Sequence, residues 1–309
     1  MTSIVFPGQG SQFAGMAKDF HDNFEIAKKT FEEIEEYVEM NLRRIIFEND
    51  ENKLDTTQYT QICIFATSYV IYETLVSENY FEKEKINVML GHSLGEYTAL
   101  ACSKKINLKE CSLILKARGE LMNKAITPNI TGMAALIGKD SAYVAKIIND
   151  NNLKLEIAND NSPIQVVVSG KLVDIDKSKD IFLSNNIKKF VNLNVSAAFH
   201  SQYMTKAQEI LSNQIEKINF FQNDIKIISN FDARIYNDNT LIKKNLQNQM
   251  ANKVNWTESI RSLEKIGETK IIEIGPGKVL SGLIKRITND FDIESINQIS
   301  DIKLNGKNK

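Results

Sequence analysis

Residues 88–100 read VMLGHSLGEYTAL, an apolar run that stops against Gly91-His92-Ser93-Leu94-Gly95. The run predicts a buried strand over 86–90, and the residues from Leu94 to Cys102 predict a helix. Gly-x-Ser-x-Gly between a strand and a helix is the nucleophile-elbow arrangement. Two glycines without Cβ atoms let the chain turn sharply and let the helix pack close to the strand. Ser93 then stands at the tip with a helix N-terminus behind it, and the Leu94 amide points where a tetrahedral oxyanion would form. The competing reading is a strained turn with no chemical role.

A serine hydroxyl needs a base at neutral pH, and imidazole titrates in the right range. The chain has three histidines. His21 lies in a charged helical stretch and reads as a solvated surface residue. His92 adjoins the serine, and neighbouring side chains at such a turn diverge, so it reads as packing behind the elbow. His200, at the end of LNVSAAFHSQYM, is the candidate base, placed at the start of a predicted helix 200–218. No acid stands out as a third member. Asp232 in SNFDARIY is one option, and a carbonyl orienting the ring is another.

Only six of the 38 basic residues are arginines, which draws attention to Arg118 in KARGELM. A guanidinium forks onto a carboxylate through two parallel bonds, which lysine cannot copy. Arg118 therefore suits a substrate carboxylate, with a solvated helix arginine as the alternative. Gln9 sits in the glycine-rich loop after a first strand at 3–6 and offers an amide suited to an oxyanion. PGQGSQ (residues 7–12) lacks the Gly-Lys-Ser/Thr end of a phosphate-binding loop.

Elements alternate along the chain. Residues 59–75 and 107–124 predict helices, the latter with Asn107 as N-cap and Glu110 in the capping-box position. From residue 128 to 196 the order becomes β-α-β-β-α-β, the ferredoxin-like pattern. It divides an α/β unit into 1–127 and 197–309. The second part predicts a strand at 225–229, helices at 241–254 and 257–266, a strand at 270–274, a helix at 279–288, and a polar, frayed tail from Lys303.

The bulk numbers are those of a globular protein: 309 residues, 42% apolar, 25% charged, net charge −1. Nothing in them points to nucleic acid or an anionic membrane, and no stretch approaches transmembrane length. Three cysteines, Cys63, Cys102 and Cys111, lack metal-ligand spacing and fit a reduced cytoplasm. The N-terminal residues run directly into Ser3-Ile4-Val5-Phe6, so no secretory leader is expected. A monomer without cofactor or metal is the default expectation.

Taken together, PGQGSQ (7–12), GHSLGE (91–96), RGELM (118–122), NSP with QVVVSG (161–170), VSAAFHS (195–201), SN (229–230), QM…VNW (249–256) and EIGPGKVLSGLIKR (273–286) resemble one family. It is that of malonyl-CoA:acyl-carrier-protein transacylase and the acyltransferase domains of fatty-acid and polyketide synthases. The resemblance covers residues 1 to about 290 in the family's order. It implies an α/β-hydrolase-like core with a parallel sheet and a ferredoxin-like insert. It also implies ping-pong transfer of malonyl from malonyl-CoA to the phosphopantetheine thiol of acyl carrier protein, supplying fatty-acid elongation. Ser93 and His200 would be catalytic, Gln9 and Leu94 would hold the oxyanion, and the Gln249 carbonyl would orient the histidine. Arg118 would clamp the malonyl carboxylate, and Asn159 and Asn161 would lie near the pantetheine path. Phe199 would leave little room for an α-methyl, a discrimination worth about 1–3 kcal/mol.

The sequence departs from the family pattern at Asn252-Lys253-Val254, next to Gln249, and at Ile164 after Pro163. A freestanding polyketide acyltransferase and a serine acyl hydrolase or thioesterase are the rival readings. An acidic carrier protein calls for a basic patch, with Lys188, Lys189, Lys278, Lys285 and Arg286 as candidates.

Overall fold

The computed structural model describes residues 1–127 and 129–302; the tail from Lys303 lies outside them. Its strands are β1 (Thr2–Phe6), β2 (Ile86–Gly91), β3 (Thr131–Ile137), β4 (Leu155–Ser162), β5 (Gln165–Lys171), β6 (Lys189–Asn192), β7 (Lys226–Ile228), β8 (Ile235–Tyr236), β9 (Lys270–Ile274) and β10 (Asp292–Ile296). They form a six-stranded sheet ordered β10-β9-β1-β2-β7-β8 and a four-stranded sheet ordered β4-β5-β3-β6. The larger sheet is parallel except where β8 pairs antiparallel with β7. The smaller sheet is antiparallel throughout.

A parallel sheet covered on both faces needs apolar residues at every position of its central strands. β1 meets that demand over its last three residues, Ile4, Val5 and Phe6, and is buried along its whole length, with polar Thr2 and Ser3 included. Its residues divide by parity, as a two-residue pleat requires. Ile4 and Phe6 join the core under helices Thr57–Ser77 and Leu94–Cys102, while Val5 joins the opposite core with helices Trp256–Lys265 and Val279–Ile287. β2 and β9 split the same way, with Met89 and Ile272 on the first face and Leu90 and Ile271 on the second. The three cysteines are buried and free. Among the described residues no helix is long and apolar enough to cross a membrane.

Most predicted elements fall within a residue or two of those observed. Three differ more. The expected helix 200–218 begins instead as a short 3-10 turn at Gln202–Met204 and runs as an α-helix only over Thr205–Ile215. His200 stays outside it because its backbone is left-handed, at φ 55°. The expected helix 241–254 is Asn239–Gln247, which leaves 248–255 as a loop. β8 and β10 were not expected. β8 has two residues, and β10 (DIESI) is a mostly half-exposed edge strand with little apolar signal.

Candidate active site

β2 ends at Gly91, and Ser93 is the N-cap of the following helix at φ 54°, ψ −108°. Such a conformation costs a non-glycine residue about 1–3 kcal/mol. The flanking glycines permit it. A Cβ on Gly91 would lie 2.1 Å from the Gly95 carbonyl carbon, and one on Gly95 would lie 2.1 Å from the Phe6 carbonyl oxygen. Helix, β2 and the end of β1 therefore meet at backbone contact, which only glycine allows. Two buried side chains then hold the turn. Asn230 accepts from the Ser93 amide at 2.7 Å and donates to the Gly91 carbonyl at 2.7 Å. Gln249 donates to the Ser93 carbonyl at 2.8 Å.

The structure brings His200 to this turn. Its Nε2 lies 2.8 Å from Ser93 Oγ across 107 residues of sequence. Its Nδ1 faces two backbone carbonyls, Gln249 at 3.2 Å and Asn252 at 3.0 Å. A carbonyl only accepts, so this assigns the ring proton to Nδ1 and leaves the Nε2 lone pair for the serine hydroxyl. Burial, then the nearby Arg118 and His92, pull the imidazole down to a pKa of about 3. It is neutral at physiological pH and able to take a proton.

Arg118 is fully buried rather than solvated. Its Nη2 donates to Ser93 Oγ and to Gln249 Oε1, each at 3.0 Å, and its Nη1 donates to Gln61 Oε1 at 2.6 Å. The guanidinium also lies over the Tyr97 ring, 5.3 Å from its centroid. Burial lowers its pKa, yet a guanidinium stays protonated in proteins. A fixed cation thus touches the serine oxygen. Ser93 and His200 line a pocket of about 80 Å³ together with Gln9, Leu94, Asn159 and Phe199, with Gln61, His92, Met122 and Met133 among its other walls. Gln9 is steadied by a bond from Nε2 to Thr57 Oγ1 at 3.2 Å.

Asn161 bonds to a pocket wall, with its Oδ1 2.8 Å from His92 Nε2. His92 bonds to Asn161 and packs against Trp256, but it also lines the Ser93 pocket rather than lying wholly behind the elbow, and desolvation lowers its pKa. His21 pairs with Asp22 at 3.0 Å. Asp232 accepts from the Tyr236 hydroxyl at 2.5 Å and from the Arg234 amide, so it does not serve as third member. Of the basic candidates, Lys278 pairs with Asp301 at 3.1 Å and Arg286 donates to Gln165 at 2.9 Å.

Sequence reasoning missed Glu96, Gln61 and Asn230. The Glu96 carboxylate is buried and accepts from Gln249 Nε2 at 2.7 Å and from the Asn230 amide at 3.1 Å. It joins the two residues that hold the elbow, through the Gln249 side chain and the Asn230 backbone. Burial raises its pKa to about 7 against those bonds. Its position one residue after Gly95, on the apolar side of a predicted helix, was the available signal. Gln61 had none, being one amide in an apolar helix. Among the described residues no group of three or more His, Cys, Asp or Glu could hold a metal ion.

Comparison with known proteins identifies the family. Residues 4–308 match the family described as acyl transferase domain. The chain is 34% identical, over 98% of its length and 95% of the relative's, to the malonyl CoA-acyl carrier protein transacylase of Bacillus subtilis (strain 168). It is 36% identical, over 94% of its length and 99% of the relative's, to that organism's polyketide biosynthesis malonyl CoA-acyl carrier protein transacylase PksC. The crystal structure of an acyl carrier protein S-malonyltransferase from Vibrio cholerae superposes with a TM-score of 0.91 at 32% identity, covering 97% of this chain and 98% of that one. A malonyl-transacylase solved in complex with its type II PKS acyl-carrier protein superposes with a TM-score of 0.91 at 31% identity, covering 97% of each chain. With the whole length matched and the serine turn in place, the chain belongs to the acyl transferase family.

Proposed function

We propose that this protein transfers the malonyl group of malonyl-CoA to the phosphopantetheine thiol of acyl carrier protein. The observation that carries the reading is Arg118, a buried cation 3.0 Å from the oxygen of a serine that also contacts an imidazole. A malonyl thioester carries its carboxylate one methylene from the reacting carbonyl, so a guanidinium beside the nucleophile is where that charge would sit. Burial removes competing water and strengthens the pairing. The carboxylate would displace the amide oxygens of Gln61 or Gln249 from the guanidinium fork.

In the first half-reaction Ser93 Oγ attacks the thioester carbonyl as its proton passes to His200 Nε2. The oxyanion is met by the Leu94 amide and Gln9. The intermediate collapses, the carbon–sulfur bond breaks, and His200 returns its proton to the departing CoA sulfur. In the second half the carrier thiol gives its proton to His200 and attacks the malonyl ester, and Ser93 leaves with that proton. The carbonyls of Gln249 and Asn252 hold the Nδ1 proton throughout, in the place where a triad has a carboxylate. Phe199 narrows the pocket against an α-methyl, and Asn159 lines the approach.

The parts of the fold carry names on the same footing. Residues 1–127 and 197–309 make an α/β-hydrolase-like core, and 128–196 a ferredoxin-like insert. The antiparallel order β6-β3-β5-β4 supports the second name. Buried free cysteines suit the cytoplasm. We assign the malonyl group to fatty-acid elongation. The polyketide reading has its own support in the 36% identical relative, and transfer rates to carrier proteins of both kinds separate the two.

Intact mass after exposure to malonyl-CoA tests the chemistry. Wild type should carry one malonyl adduct and Ser93→Ala none; an adduct on the variant moves the nucleophile elsewhere. Rapid loss of the adduct to water without carrier protein would favour a hydrolase.

A further inference from the structure

Ser169 is a buried hydroxyl in the four-stranded sheet. It lies on β5, opposite Met133 of β3 and Glu156 of β4. Along β5, Val166 and Val168 point into the small sheet's own core, while Val167 points into the large one. By the two-residue pleat Ser169 shares the face of Val167, and it is 1% exposed. A buried hydroxyl costs free energy unless it is bonded. Its bond is to the backbone that carries His200: Oγ donates to the Phe199 carbonyl at 2.7 Å.

That carbonyl belongs to the peptide unit entering a residue held at φ 55°. A histidine is not at rest there, and something outside the segment must maintain it. The same sheet supplies a second hold, since buried Thr131 on β3 accepts from the Ala198 amide at 3.1 Å. It supplies a third on the far side of the ring. The β4 backbone pairs with Val254, which accepts from the Asp160 amide and donates to the Ala158 carbonyl, each at 2.9 Å. Val254 follows closely on the loop whose carbonyls receive Nδ1.

We propose that Ser169 is a positioning residue for acyl transfer: its hydroxyl fixes the Phe199 carbonyl, and through it the strained backbone that aims His200 at Ser93. Thr131 works beside it, two peptide units earlier. The inference rests on the proposed Ser93–His200 reaction, and it adds that the imidazole is aimed by the four-stranded sheet.

The test compares wild type, Ser169→Ala and a control, Ser178→Ala, by single-turnover acylation with malonyl-CoA followed by intact mass. Ser178 is an equally buried hydroxyl, donating to the Ile175 carbonyl at 2.7 Å within helix Leu172–Ser184. Both variants lose one buried hydrogen bond and should melt slightly lower than wild type. Only Ser169→Ala should acylate slowly, by about 10-fold, because small misplacements of a reacting group cost rate. KM for malonyl-CoA should stay within about two-fold, since binding is untouched. Thr131→Val keeps the side-chain shape and should show a smaller loss of the same kind, which preserves the test if Ser169→Ala folds poorly. Equal acylation rates for Ser169→Ala and Ser178→Ala, or for Thr131→Val and wild type where that variant stands in, would overturn the inference. No acylation by wild type would instead overturn the reaction on which it rests, and the inference with it.

Discussion

Ser93 and His200 meet at 2.8 Å, and both sit at positive φ, 54° and 55°. The two regions that hold them work differently. Around Ser93 the support is mainly local: a strand that ends, a helix that begins, and two glycines within two residues on either side. Around His200 it is remote. The ring and its backbone are held by Ser169, Thr131 and the Gln249–Val254 region, none of them a neighbour in sequence. The strain at the serine is thus written next to the serine. The strain at the histidine exists only once two sheets have packed together.

The sharpest break of this contrast is Gly95→Ala. Its Cβ would meet backbone, the Phe6 carbonyl oxygen at 2.1 Å, which cannot move without displacing β1 from the elbow. Overpacking usually costs about 1–3 kcal/mol, and a backbone collision at the sheet centre should exceed that and abolish acylation. Gly282→Ala is the counterpart, with nothing within 4 Å of the added Cβ inside a helix. It should gain about 0.5–1 kcal/mol. Denaturation midpoints that rank the two variants alike would end the claim that the elbow is sterically written.

Arg118→Ala comes next. A charge-assisted pair is worth roughly 2–3 kcal/mol, or about 100-fold, and only a substrate with a carboxylate loses it. Malonyl transfer should fall by that factor and acetyl transfer by far less. Equal losses would reduce Arg118 to a support for Ser93 and Gln249.

The smallest effect is in pH. A solvated imidazole, with pKa about 6.5, would change its neutral fraction roughly four-fold between pH 6 and 7.5. His200, held down to about 3 by burial and by the neighbouring Arg118 and His92, should leave kcat/KM nearly flat there. Glu96, raised to about 7 by burial, is the other titrating group at the site. A limb near 7 that survives Glu96→Gln belongs to His200 and would mean that its enclosure is looser than its contacts imply. Stability follows the same sign. The depressed pKa makes the neutral ring a stabilising feature above about 6.5, and that contribution is lost as pH falls toward 3.

Much of this was legible in residues that act on their neighbours. Gly91 and Gly95 mark the elbow, Asn107 caps its helix by accepting from Glu110, and the apolar runs of β1, β2 and β9 place them in the sheet interior. Arg118 was harder. Its chemistry was readable, but a helix arginine offers no sign that Tyr97, Gln61 and Gln249 enclose it. Asn161 illustrates the limit from the other side: its type suits a ligand, and its partner in the fold is His92.

What the sequence by itself determined is the strained turn at Ser93 and the residues proposed to react there, because a missing Cβ and a helix N-terminus act over a few residues. What only the tertiary structure decided is the aim of the imidazole, the burial of Arg118 and the linking role of Glu96. Those depend on backbone carbonyls and amides of distant segments. Every residue carries such groups, so nothing in the order of side chains singles out the ones that will be used.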